Sequence, residues 1–332
     1  AAELQIPGAR RRPGPALPLT TMTASQPTTE PFRLPSVEPA YAGYRTVTDP
    51  DGAFTFRVPN EWVDDLGTEG QVIASPDNNA ALGDALISGV VVSGSQGIGY
   101  AYEAIRFGRQ IAMVAGGCEE LSAADAAVFD TLFATSTCNE RPDLSPRPFD
   151  AERDGLVIGE GAGTLILEEL EHALARGATI HAEILGFGTN SDGRHITQPD
   201  ANMMEAAMRM ALEDAGVEAS EIGYVSAHGT ATERGDIAES HATHAVFGDS
   251  TPISAFKSYT GHTLGACGAL EAWIAIEMMR DGWFHGTANL TSLDPRCAQL
   301  DYLTGAGREI ETDTVMSNNF AFGGINTSLI LR

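Results

Sequence analysis

Between residues 93 and 332, short apolar runs alternate with longer stretches in which apolar residues return every three or four positions. IAMVAGG, GAGTLILEE, ATIHAEILGFG, EIGYVSAHG, TPISAF, TVMSNNF and NTSLILR read as strands, and ANMMEAAMRMALEDAG, DIAESHATHAVFG and GALEAWIAIEMMR as helices. That alternation predicts an α/β domain whose sheet is buried between helix layers. Residues 41–92 are different: AFTFRVP alternates like a half-buried strand, QVIAS and ALISGVVV are further strands, and DPDG and SPDNN are turns. This is a β-rich segment of no evident affiliation. Residues 1–40 hold eight of the 17 prolines with Ser and Thr between them, which predicts a disordered arm.

Where the two regions meet, the stretch GVVVSGSQGIGYAY at 89–102 reads as strand, tight turn and helix start. Such a corner can cradle a dinucleotide phosphate on exposed N–H groups, or it can carry a nucleophile. A short-chain dehydrogenase loop, T-G-x-x-x-G-x-G, would be one residue longer, because only Ser95 and Gln96 separate Gly94 from Gly97. It also needs a Tyr-x-x-x-Lys base, and the chain's single lysine, Lys257, has Ile253 four residues before it. No acidic residue closes the next strand where a ribose could reach it, so the dinucleotide reading fails.

Composition narrows the partners. Twenty basic residues against 45 acidic ones give a formal charge of −25, which repels nucleic acid and anionic membranes. No apolar run reaches membrane-spanning length. Cys118, Cys138, Cys267 and Cys297 are scattered without a C-x-x-C pair, so reduced thiols and a cytoplasmic location are expected.

Two histidines stand out by their surroundings. His228 in VSAHGTAT and His262 in KSYTGHTLGACG each follow a strand or turn into Gly- and Thr-rich sequence, where backbone can approach a ligand. Lys257 lies between them, and Asp236 and Glu239 share one helical face by their i, i+3 spacing. His172, His181, His195 and His285 read as hydrogen-bonded structural residues, and His241 with His244 as a solvated helix face lacking further metal ligands.

Six ordered blocks, SGSQGIGYAYEAIRFGRQ, VAGGCEEL, RPFDAERDGLVIGEGAGTLILEELEHALARGA, SAHGTATERGDIAES, KSYTGHTLGACGALEA and SNNFAFGGINTSL, resemble the β-ketoacyl-acyl-carrier-protein synthases, the condensing enzymes of fatty-acid and polyketide synthesis. The resemblance covers residues 93–332 and implies a thiolase-like α/β fold. Residues 93–175 would be the remainder of its N-terminal half and 176–332 its complete C-terminal half. It further implies that His228 and His262 donate hydrogen bonds to a malonyl thioester as CO2 leaves. Lys257 would be held by Asp236 and Glu239, Thr230 and Thr232 would bind the phosphopantetheine arm, and Phe322 would gate the acyl pocket, with Phe320 and Gly323 beside it. No cofactor would be bound, because phosphopantetheine arrives on the acyl carrier protein, and the expected assembly is a homodimer.

The family's nucleophile is a cysteine at the corner, where this chain has Val91, and the threonine after it is replaced by Val92. Cys267, Ser93 and Ser95 are poor substitutes, and Cys118 and Cys138 read as core or loop fillers. The expected activity is therefore malonyl decarboxylation at most. The alternatives are a non-catalytic partner subunit resembling chain-length factors, or a chimeric, inactive reading frame joined near residues 91–93. With the first strands of the family fold unrecognised, an open sheet edge and apolar faces are expected.

Overall fold

The computed structural model describes five strands between residues 44 and 91, and then residues 94–193 and 197–332. The proline-rich residues 1–40 lie outside the described residues, as do Val92, Ser93 and His195. Strand β1 (Tyr44–Thr48) pairs antiparallel with β2 (Thr55–Pro59). Strands β3 (Asp64–Thr68), β4 (Gln71–Ser75) and β5 (Val90–Val91) form a second antiparallel sheet in which Ile73 faces Val91. AFTFRVP and QVIAS thus yield β2 and β4, and of ALISGVVV the described part is Val90–Val91, which is β5; its other residues lie outside the described ones.

The corner is a strand followed by a helix: β5 leads into α1 (Gly94–Arg106). There follow β6 (Ala112–Glu119), α2 (Ala123–Thr131), β7 (Gly161–Glu168), α3 (Leu170–Ala175), β8 (Ile184–Ser191), α4 (Ala201–Ala215) and β9 (Tyr224–Ser226). The chain continues through α5 (Glu233–Phe247), β10 (Pro252–Ser254), α6 (Lys257–Thr260), α7 (Cys267–Asp281), β11 (Trp283–Phe284), β12 (Asp301–Tyr302), β13 (Arg308–Glu309), β14 (Val315–Phe320) and β15 (Ile325–Leu331). Six strands make the main sheet in the order β12-β10-β9-β14-β15-β8. Its first four are parallel, and β15 and β8 each run antiparallel to the strand before them.

Alternation along the central strands divides the core as the sequence pattern requires. Val315, Leu329 and Leu331 join a cluster with Ile98 of α1 and Ala272 of α7. Met316 and Ile330, one residue out of phase, join Met204 and Met208 of α4 on the opposite face. Helix α4 buries Met204, Ala207, Met208, Ala211 and Leu212, a helical stripe, and is closed by the Asp200 side chain at its start and Gly216 in the left-handed region (φ 67°) at its end. It lies very close to β8 because Gly186 and Gly188 have no Cβ. A carbon built there would stand 2.4 and 2.1 Å from the carbonyl oxygens of Ala211 and Ala207.

The β6–β7 pair stands apart from the main sheet. Met113, Ala115, Leu165 and Leu167 face the α1 and α7 side. On the other face Val114 and Ile166 sit opposite each other in register, 51% and 73% exposed. Among the described residues no helix is long and apolar enough to cross a membrane.

Candidate functional site

His228 follows β9 and enters the turn that starts α5. That turn is held from behind by two carboxylates, one helical turn apart, which α5 turns inward. Glu239 accepts the N–H groups of His228 (2.7 Å) and Gly229 (2.8 Å). Asp236 accepts those of Phe149 (2.7 Å) and Ala231 (3.2 Å) and lies 3.3 Å from Nε of the buried Arg153. Ala231 is thereby fixed in the left-handed region (φ 63°), which leaves the Thr230 and Thr232 hydroxyls 2.9 Å apart. Burial pushes Asp236 up to about 6 against the pull of Arg153, and pushes Glu239 up to about 8 against its two backbone hydrogen bonds.

This corrects one expectation. Asp236 and Glu239 do not form the ion pair of Lys257; they clamp backbone. The partner of Lys257 is Glu271 in α7, and both side chains are 1% exposed. Lys257 Nζ also donates to the His228 carbonyl oxygen (2.7 Å) and stands 3.1 Å from His228 Nδ1. The second Glu271 oxygen accepts from Asn319 Nδ2 (2.8 Å), and the Cys267 thiol donates to Asn319 Oδ1 (3.0 Å). Burial pulls the Lys257 ammonium down, but Glu271 and lesser charges more than offset it, so its pKa lies above the usual 10.5.

These contacts define the histidine tautomers. An ammonium has only protons to offer, so His228 Nδ1 is the acceptor and Nε2 carries the hydrogen. His262 Nδ1 accepts the Leu264 N–H at 3.2 Å, which puts its hydrogen on Nε2 as well. The ring is seated by two backbone bonds, His262 N–H to Val157 (2.7 Å) and Gly159 N–H to His262 (3.0 Å). The two imidazoles meet edge to face with centroids 5.2 Å apart. Burial first, and the Lys257 charge second, hold both pKa values well below 6.5. Two neutral N–H donors therefore face one cavity, an arrangement suited to a developing oxyanion.

The cavity encloses about 400 Å³ and is lined by both histidines, Thr230, Thr232, Phe320 and Phe322, among others. Phe322 packs on Phe129 of α2, ring centroids 5.4 Å apart. Gly323 is exposed and does not line the cavity, whereas its neighbour Gly324, with φ 83°, does. Cys267 is buried and its thiol is pushed up to about 12 by burial. Ser95 is buried where α1 meets α7: a Cβ on Gly268 would stand 2.0 Å from its Oγ. Neither is an activated nucleophile. Val91 ends β5, so the position expected for a nucleophile is a strand end just before α1.

Glu271, Asn319 and Arg153 are the site residues that sequence reasoning missed. Glu271 had a visible signal: it is the one charge in GALEAWIA, on a helix face otherwise made of Cys267, Gly268, Ile274 and Ala275.

Two family models match the chain: "Beta-ketoacyl synthase, N-terminal domain" over residues 89–173 and "Beta-ketoacyl synthase, C-terminal domain" over 181–291. The chain is similar to the 3-oxoacyl-[acyl-carrier-protein] synthase 1 of Escherichia coli K12, 44% identical over 74% of this chain and 60% of the relative. Among solved structures it is similar to a beta-ketoacyl synthase from Burkholderia phymatum, 67% identical with a TM-score of 0.71, over 72% of this chain and 59% of that one. It is also similar to the ishigamide ketosynthase/chain length factor, 39% identical with a TM-score of 0.68, over 72% and 58%. The chain spans about three fifths of the length of the curated relatives it matches.

Proposed function

Residues 89–291 belong to the β-ketoacyl synthase family and carry its thiolase-like α/β fold, and from that premise we propose that this chain decarboxylates malonyl thioesters delivered by an acyl carrier protein without condensing them. The observation that carries the reading is the pair of neutral histidines with Nε2–H facing one cavity. When the malonyl C–C bond breaks, CO2 leaves and the electron pair passes into the thioester carbonyl, forming an enolate. His228 and His262 stabilise its oxygen by hydrogen bonds that strengthen as charge develops. A proton from water at the α-carbon then gives the acetyl thioester. Lys257 needs no proton transfer: it holds His228 in the required tautomer while Glu271 balances its charge. Thr230 and Thr232 offer hydroxyls to the amides of the phosphopantetheine arm. Val91 in the nucleophile's position, with Cys267 buried and fully protonated, leaves no thiolate to accept an acyl group. A cytoplasmic homodimer is the setting in keeping with four cysteines that form no disulfide and with this family.

Release of labelled CO2 from malonyl-acyl carrier protein tests the proposal. His262→Ala should slow release by roughly a hundredfold, as loss of one oxyanion donor does. Intact-mass spectrometry with acyl thioesters should find no acyl adduct on the parent. Equal release from parent and variant, or a stoichiometric adduct, would refute the reading. A second reading, a non-catalytic subunit resembling chain-length factors, is favoured by Val91 and by the likeness to a ketosynthase/chain length factor. It is chosen over the first if the folded chain releases no CO2 but forms a stable complex with a ketosynthase.

A further inference from the structure

Helix α2 ends in a pair of hydrogen bonds, Ala134 N–H to Phe129 (3.1 Å) and Phe133 N–H to Asp130 (2.9 Å), which span five and three residues. This is the Schellman closure, and Phe133 occupies its left-handed position with φ 54°. Glycine is the usual residue there, because a β-carbon crowds the following carbonyl oxygen in that conformation. Phe133 has the β-carbon and a whole ring besides, yet it is 94% exposed, so no packing within the described residues offsets the strain. Stability does not account for a phenylalanine at this point.

Its location does. Phe133, with Leu132 and Ala134, lines the same cavity as His228, His262, Thr230 and Thr232. Strained residues that the fold itself does not reward gather at ligand sites. Resting on the reading of the cavity as a carrier-thioester site, we propose that Phe133 is a ligand-contacting residue at the cavity rim, whose ring packs on the pantetheine arm of the incoming thioester. The arm, and not the acyl group, is the part that passes an exposed rim while the thioester lies between His228 and His262. Its methylenes and paired methyl groups supply the apolar surface that a solvated phenyl ring can cover.

The full chain is titrated calorimetrically with acyl carrier protein bearing its unacylated pantetheine arm and with the same carrier lacking that arm, and melting is followed by circular dichroism. The ratio of the two affinities reads the arm alone. Phe133→Gly and Phe133→Asn, both at ease in the left-handed region, should raise the melting temperature by about 2–4 °C. They should also reduce the arm-dependent affinity by about tenfold, the loss expected for uncovering one aromatic ring, with armless binding unchanged. Phe133→Leu should keep most of the affinity without the gain in melting temperature. Unchanged arm affinity in the Gly and Asn variants, an equal loss with the armless carrier, or a fall in melting temperature overturns the inference. A parent that binds both carriers equally overturns instead the reading of the cavity on which it rests.

Discussion

Replacing Glu271 with leucine removes the partner of the most deeply buried cation in the site. Both members of the Lys257–Glu271 pair are 1% exposed, so truncating one leaves a charge in a low-dielectric surrounding, at a cost of about 3–5 kcal/mol. Lys257 keeps two acceptors, the His228 carbonyl and Nδ1. With Glu271 gone, the burial that it offset pulls the ammonium down toward a neutral amine. Both effects place the expected loss at the lower end, about 3 kcal/mol. Lys257→Met with Glu271→Leu removes both charges and should cost about 1 kcal/mol or less, since an apolar replacement of a buried pair is often near neutral. The coupling within the pair is then about 2 kcal/mol or more, well beyond the scatter of independent sites. The comparison cycle joins Lys257→Met with Glu239→Gln, which share the backbone of His228 and only a minor charge interaction, and should couple by under about 1 kcal/mol. Urea unfolding followed by circular dichroism gives all six stabilities. A cost below about 1 kcal/mol for Glu271→Leu, or stronger coupling of Lys257 to Glu239 than to Glu271, would refute the assignment.

Two further outcomes follow from the buried acids and thiols. The folded-state pKa of Glu239 is raised from 4.5 to about 8, so its contribution is fully present below the unfolded value and is lost as pH rises through the folded one. Glu239→Gln, which cannot ionise, should therefore gain on the parent between about pH 5 and pH 8, by up to about 1.4 kcal/mol per unit, and parallel stability curves would sink the argument. Cys267 and Cys297 are buried with thiols pushed up to about 12 and about 11, whereas Cys118 and Cys138 are half-buried. Under native conditions an aromatic disulfide reagent should reach the second pair first, and early labelling of Cys267 would contradict its burial.

Periodicity made the three long helices and most of the main sheet legible: the stripe of α4 and the apolar runs of β14 and β15 leave little alternative, whereas the two residues of β12 are too few to show a pattern. Shorter elements escaped. The AADAAVFDT stretch of α2 is apolar on nearly every side, and LEHALA of α3 is only six residues long, so neither shows a period. ATIHAEILGFG reads as one strand, yet β8 begins only at Ile184. Within the site, His228, His262 and Lys257 were found by local context, but the choice of partner for Lys257 was not. The resemblance implied Asp236 and Glu239, which spacing had only placed on one helix face, whereas the fold brings in Glu271, fourteen residues downstream of the lysine on another helix. Proximity in sequence identifies which groups share a helix face; it does not say which face will turn toward a buried charge.

The outward face of the β6–β7 pair bears on how the molecule behaves in bulk solution. Val114 and Ile166 form a bare apolar cross-strand pair on a chain carrying a net charge of −25. Two copies approaching strip to strip meet a long-range repulsion before any short-range attraction. At 0.1 M salt that repulsion reaches about 10 Å, and at 1 M only about 3 Å, less than one strand spacing. Colloidal stability of this protein is thus set by ionic strength: dilute buffer keeps the strips apart, and salting removes the barrier while leaving the strips as adhesive as before.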